Sequence, residues 1–311
     1  MWVSERGGRP VAWAMAPDGA NARILVDRAG ATFPAAPDPR GTDALIVSAD
    51  DDPTGHREQL WRVPLAGGPP VALCPPAGVV RNPVWSPDGA WVVVESDAAS
   101  FRDLYRIARD GTGLARLTDA RFGSFEPDVS PDGARIAFGT SRDGNAEVYV
   151  ANADGTDPRR VTDHPRDDVR PRWSPDGSKL GWLSHREGSP RVWWGPADGT
   201  GVAQPARPGG GVDLDYAWAP AGDRVAIVVQ QGPSALAIEV VDLATGQTVT
   251  IDGEGVDEQP GWSPDGRWIA FSSGRDGNAE LYAVHPDGTG LRRLTTDPAA
   301  DWLPRWVGSP E

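Results

Sequence analysis

The sequence predicts an all-β protein: a seven-bladed β-propeller of four-stranded antiparallel blades. Three observations carry the prediction. First, the phrase Trp-Ser-Pro-Asp-Gly occurs at Trp85–Gly89, Trp173–Gly177 and Trp262–Gly266, with degenerate copies at Val129–Gly133, Trp218–Gly222 and Ala35–Pro39. Second, the anchoring prolines Pro37, Pro87, Pro131, Pro175, Pro220 and Pro264 are separated by 50, 44, 44, 45 and 44 residues, and self-similarity at 40 to 50 residues signals a propeller or solenoid. Third, the two chain ends complement each other. Leu303–Pro310 copies Arg170–Pro175, a first strand with nothing after it, while Ser4–Trp13 aligns with Ser141–Tyr149, a second and third strand with no first strand before them.

Within each repeat the elements follow in a fixed order. A short apolar run ends in Pro-Asp-Gly, and a second run such as Arg135-Ile-Ala-Phe-Gly follows. A third, such as Ala146-Glu-Val-Tyr-Val, leads to a fourth such as Arg159-Arg-Val-Thr162. Runs of four to six residues rich in Val, Ile, Tyr and Trp between Gly, Asp and Pro turns read as antiparallel strands. Pro-Asp-Gly joins the first and second strands. Asp-Gly-Thr, starting at Asp110, Asp154, Asp198 and Asp287, joins the third and fourth, and Asp and Gly suit such hairpins because both tolerate φ > 0. Pro17-Asp18-Gly19 falls in the third-to-fourth position. The expected blades are 31–74, 79–118, 125–162, 169–206, 213–250 and 257–295. The seventh joins 303–311 to 1–27, its C-terminal strand at 303–308 closing the ring and hiding the edge that an open sheet would expose.

Composition narrows the function. The 311 residues hold 30 Lys+Arg against 44 Asp+Glu, a net charge of −14, and Lys179 is the sole lysine. That charge and the lack of any basic run argue against nucleic acid as a partner. No stretch is long and apolar enough for a membrane helix, so no membrane insertion is expected. Cys74 is the only cysteine, so no intrachain disulfide forms. The start of the chain lacks a signal-peptide pattern. A cytoplasmic protein is expected if Met1 is native, and an extracytoplasmic one if the chain is an excised mature domain. A monomer is expected.

Recurrence marks scaffold. Trp85, Trp173, Trp218, Trp262 and Trp306 occupy one equivalent innermost-strand site and read as blade-to-blade packing. Ser141, Arg142 and Glu147 recur as Ser273, Arg275 and Glu280, and read as a local clamp on the hairpin of the second and third strands. Asp168, Asp213, Asp257 and Asp301 stand ahead of the innermost strands, where bonds to nearby backbone amides are expected.

Trp-Ser-Pro-Asp-Gly, the segments 141–149 and 273–282, and Asp287-Gly-Thr-Gly-Leu-Arg-Arg-Leu-Thr295 resemble the repeats of TolB-like propellers. The resemblance spans the chain, in degenerate form through 1–74 and 201–250. It implies the fold and leaves function open, since these motif residues make turns and packing contacts. Propellers of this kind include the protein-binding TolB of the bacterial envelope, the gating domains of prolyl oligopeptidases, and oligogalacturonate lyases.

Variation marks a site. The loops between blades and between second and third strands share an upper face and differ from blade to blade, which is where binding is usually built on a rigid scaffold. The position before each innermost strand is expected to ring the channel mouth. It reads Asn82, Glu126, Arg170, Asp215, Gln259 and Leu303, with Thr32 in the degenerate blade, and Trp302, Phe122, Phe125 and Tyr216 stand near it as apolar anchors. The favoured reading is a non-enzymatic platform for a protein or peptide, with no cofactor and with binding residues Asn82, Glu126, Arg170, Asp215, Gln259 and Trp302. Two alternatives stay open. One is a carbohydrate or small-molecule lyase or hydrolase at the channel mouth, using a divalent metal on His164, His185 and Asp167. The other is a propeller domain detached from a larger hydrolase or sensor.

Overall fold

Pro-Asp-Gly and Asp-Gly-Thr turns close hairpins where the sequence places them, and seven sheets of four antiparallel strands result. The computed structural model describes residues 1–28, 30–49, 58–73, 78–99, 101–251 and 255–308. His56, Cys74 and part of the 74–82 and 252–259 loops lie outside the described residues. The innermost strands are Asp301–Trp302, Ala31–Pro37, Val80–Trp85, Ser124–Val129, Asp168–Trp173, Val212–Trp218 and Asp257–Trp262. In each sheet the chain steps outward from these through the second, third and fourth strands. Among the described residues no helix is long and apolar enough to cross a membrane.

The first blade is built from both chain ends. Asp301–Trp302 pairs antiparallel with Trp2–Ser4, through Val3 with Trp302 and Ser4 with Asp301. The pairing resumes further along, where the Met1 nitrogen donates to the Arg305 carbonyl at 2.7 Å and the Arg305 amide to the Met1 carbonyl at 2.8 Å. The closing strand therefore begins two residues before Leu303.

Core lies between blades. One cluster joins Val228, Ile238 and Val240 of the sixth blade to Trp262, Phe271 and Tyr282 of the seventh, and another joins Val93 and Leu104 of the third to Ile136 and Phe138 of the fourth. Burying each such side chain contributes about 1.5 to 3 kcal/mol. The repeated tryptophans add polar ties across these interfaces. The indoles of Trp218, Trp262 and Trp306 donate to the carbonyls of Arg172, Ala217 and Gly261 on the preceding blade at 2.8–3.1 Å. At the turns, Gly133, Gly177, Gly222 and Gly266 each sit against the turn proline of the preceding blade. Their φ of 68–71° is one that a residue with a Cβ adopts only at a cost.

Glu147 and Glu280 lie fully buried; Asn145 and Asn278 of the expected hairpin donate to them at 3.0 and 3.1 Å, and the outer strand adds further partners. Glu147 receives Arg160 and Thr162 from the fourth strand at 2.9 and 2.5 Å, and the His164 amide at 2.9 Å. Glu280 receives Arg293 at 2.8 Å, and Asp103 receives Arg116 at 2.6 Å. The clamp thus fastens the third strand to the short outer strand, while Arg142 and Arg275 stack on Tyr149 and Tyr282. The repeated aspartates also differ. Asp168, Asp257 and Asp301 begin the innermost strands, and their chief partners are arginines of the adjacent hairpin, Arg186, Arg275 and Arg6, at 2.9, 3.1 and 2.6 Å. Asp213 takes both Arg207 at 2.6 Å and the Val192 amide at 2.8 Å.

The degenerate second blade is out of the expected register. Gly41 donates to the Asp38 carbonyl as Gly89 does to Ser86, so Pro39 occupies the anchor site in place of Pro37. Thr32 is accordingly buried, accepting the Ala12 amide at 2.9 Å, and does not face the channel.

Two stability changes follow. Removing residues 301–311 leaves the first blade without its innermost strand, and calorimetry is expected to show Tm falling by about 10 °C or more; an unchanged Tm contradicts the closure. Glu280→Ala removes the acceptor of the buried Thr295 hydroxyl and one of the two carboxylate partners of Arg293, with an expected loss of about 1 to 3 kcal/mol in denaturant unfolding.

Candidate functional site

A cavity of about 740 Å³ occupies the centre of the ring. Two tiers of residues from the innermost strands line it, and one backbone device sets both. In the third, fourth, fifth and seventh blades the register with the second strand shifts, for example between Phe125 and Asp128 and between Val169 and Arg172. Two residues there oppose one, which is a β-bulge. The first bulge residue has left-handed backbone, with φ of 47–58° at Asn82, Glu126, Arg170, Gln259 and, in the closing strand, Leu303. The second is Pro83, Pro127, Pro171, Pro260 or Pro304. Proline fits because a bulge on an edge strand needs no donor at that point.

The upper tier holds the residues that the sequence places at the mouth, and most are bonded to one another across blades. Glu126 accepts the Arg170 amide at 2.9 Å, and Gln259 accepts the Leu303 amide at 2.7 Å. Buried Glu95 accepts both the Asn82 side chain at 3.1 Å and the Glu126 amide at 3.0 Å. Arg170 reaches the Leu214 carbonyl at 2.9 Å. Asn82, Glu126, Arg170 and Asp215 line the cavity together with Leu303 and Pro34. Gln259 is spent on tying the seventh blade to the first, and Trp302 packs against Phe33 with ring centroids 6.0 Å apart.

Two residues further along, a second tier faces the same lumen. Val84, Asp128, Arg172, Ala217 and Gly261 are register-equivalent, opposite Val93, Ala137, Gly181, Ala226 and Ala270, and Arg305 holds the place in the closing strand. The sequence reading names none of its charged members as site residues, although the alternation of a strand puts residue i+2 on the same face as i. Asp128 accepts the Trp173 amide at 2.7 Å. Burial among the blade walls pushes its carboxyl up to about 6, against the pull of that amide and of Arg172. Arg172 pairs with Asp215 at 2.9 Å. Burial acts to lower its pKa, yet Asp215, Tyr216, Asp128 and Glu126 hold it above its ordinary value. Arg305 is lowered by burial and then by Arg172.

Beside the mouth, a second hollow of about 350 Å³ is shared by Arg102, Phe125, Glu126, Arg170, His185 and Leu214. Phe101 and Phe122 nearby are 51% and 56% exposed. His185 thus joins Glu126 and Arg170, not His164. One Asp167 carboxylate oxygen accepts the Ala146 amide at 2.9 Å, and His164 Nδ1 accepts the Arg166 amide at 3.1 Å. Among the described residues no group of three or more His, Cys, Asp or Glu could hold a metal ion. His164, His185 and Asp167 are not gathered into one metal-binding group, so as placed they do not fit a metal site.

The Asp128 shift has a definite sign. Its value in the fold lies above the 3.8 of the free side chain, so the ionised form opposes folding. The penalty is absent at low pH, grows between pH 4 and about 6, and is complete above that. Asp128→Asn keeps an oxygen for the Trp173 amide, so Tm is expected to rise at pH 7.5 with little change at pH 4; equal shifts at both contradict the assignment.

A TolB β-propeller domain model matches residues 118–211. The Tol-Pal system protein TolB of Syntrophus aciditrophicus (strain SB) is 37% identical over 82 residues, 24% of this chain and 17% of that protein. Among solved structures, a puromycin-hydrolyzing peptidase of Mycobacterium tuberculosis is similar at TM-score 0.71 and 20% identity, over 95% of this chain and 51% of the peptidase. An oligogalacturonate lyase in complex with manganese is similar at TM-score 0.71 and 13% identity, over 91% of this chain and 84% of the lyase. Likeness at these identities is one of fold. The chain matches about a fifth of the length of its curated relatives, 22% and 17%. Repeat sequence, seven-bladed ring and the family model over residues 118–211 together make this chain a seven-bladed β-propeller whose repeats resemble those of TolB.

Proposed function

We propose that this protein is a non-enzymatic binding platform whose upper face and channel mouth receive a protein or peptide. One observation carries the reading. A backbone conformation repeated from blade to blade presents a different side chain at each mouth position, Asn82, Glu126, Arg170 and Leu303 among them, while the Pro-Asp-Gly turns at the other ends of the innermost strands stay nearly uniform. Ordinary scaffold pressure would repeat the mouth residues as it repeats the turns. The exposed rings of Phe101 and Phe122 beside the 350 Å³ hollow supply the apolar anchors that dominate protein interfaces. The name of the TolB relative, a Tol-Pal system protein, supports a role within a protein assembly. The lyase alternative draws support from the fold neighbour with manganese, but the ligand set it needs is not among the described residues.

Photo-crosslinking tests the platform. A crosslinking amino acid at Phe122 or Arg170 is expected to trap the same partner in cells, while one at Asp154 in a lower-face turn traps none. Arg170→Glu is expected to weaken that capture at least about ten-fold with Tm nearly unchanged. Equal capture from both faces contradicts the reading.

A further inference from the structure

In the second tier of the channel stands a cation that forms no ion pair among the described residues. Arg305 donates to the carbonyl of its neighbour Pro304 at 3.2 Å, and among the described residues no carboxylate forms an ion pair with it. It lines the cavity, where burial and then the positive charge of Arg172 act against its ionised form and the more weakly acting Asp215 favours it. Arg172 already has Asp215. Going round the ring from Arg172 to Arg305, the sixth and seventh blades place only Ala217 and Gly261 at this level. No long second-tier side chain stands between the two guanidinium-bearing blades. A guanidinium partly withdrawn from bulk water gains from an anion that meets it, and its planar fork suits a carboxylate.

We infer that the channel binds a carboxylate ligand, with Arg305 as its anchoring cation and Arg172 as the neighbouring donor. A carboxylate is favoured over phosphate on charge. Asp215 offsets Arg172 and ionised Asp128 adds a second negative charge to the lining, so a monoanion meets only the local field of Arg305, which forms no ion pair among the described residues, and a dianion meets repulsion from both aspartates. Entry is past Asn82, Glu126 and Arg170, at the top of the 740 Å³ cavity. The carboxylate has two sources, a free small acid or the C-terminus of a peptide entering the mouth. The site does not depend on the platform reading, because its test needs no protein partner.

The test follows the arginine Nε–Hε resonances of the isotopically labelled full chain at pH 7, titrated with propionate, with Ala-Ala-Ala, with Ala-Ala-Ala amide and with inorganic phosphate. The Arg305 resonance is identified by its loss in Arg305→Lys. It is expected to shift saturably with propionate or with the peptide acid, and not with the amide. Arg305→Gln is expected to weaken that binding at least about ten-fold. A response to propionate identifies a free-acid site, and a response to the peptide acid alone identifies a C-terminus. No saturable shift with either carboxylate, or an equal response to phosphate or the amide, overturns the proposal. Should Arg305→Gln fail to fold, the same titrations of the wild-type chain and of Arg172→Gln decide it, the latter expected to bind more weakly.

Discussion

Everything in this molecule depends on closing a ring of sheets whose innermost strands are all edges. An edge strand leaves donors and acceptors unpaired and invites another chain. Here several of these edges are bonded sideways, to the neighbouring blade. Tryptophan indoles reach back to the preceding blade's carbonyls at Arg172, Ala217 and Gly261. Glu126 and Gln259 reach forward to the amides of Arg170 and Leu303. The first blade shares its strands between the two chain ends, so the last of these ties joins the seventh blade to the closing strand of the first.

That requirement also shapes the candidate site. The bulge that lets a first-strand side chain reach the next blade's amide turns the strand so that residues at i and i+2 line one lumen. Structural bonding and site construction are therefore the same residues seen from two sides. Glu126 holds Arg170 in place and lines both hollows, whereas the Gln259 side-chain oxygen is taken up by the Leu303 amide and the Ser272 hydroxyl. The charges free to meet a ligand lie one tier deeper, at Asp128 and Arg305.

Blade number, strand order and ring closure are legible in the sequence because turn chemistry is local: Pro-Asp-Gly and Asp-Gly-Thr write their conformation in the residues themselves. The mouth positions are legible for the same reason, since each opens an X-Pro-X-Trp pattern or its remnant. Register in the second blade is not legible, because Ala35–Pro39 offers two prolines and only the Gly41–Asp38 bond selects Pro39. Neither are the partners of Glu147 or Asp168. Their arginines stand 13 and 18 residues away, and strand pairing, not local pattern, brings them together. The second tier is hidden by the bulge: with the strand taken to begin after Arg170, Arg172 and Arg305 read as ordinary strand residues.

The central claim is that sideways bonds between blades at the bulges hold the ring shut. Native-state hydrogen exchange resolved at the Arg170 and Leu303 amides tests it most directly. Both are expected to exchange only with global unfolding, as slowly as the core amides of Ala137 and Phe271. Exchange at the rate of exposed loop amides, with the cores still protected, would contradict it.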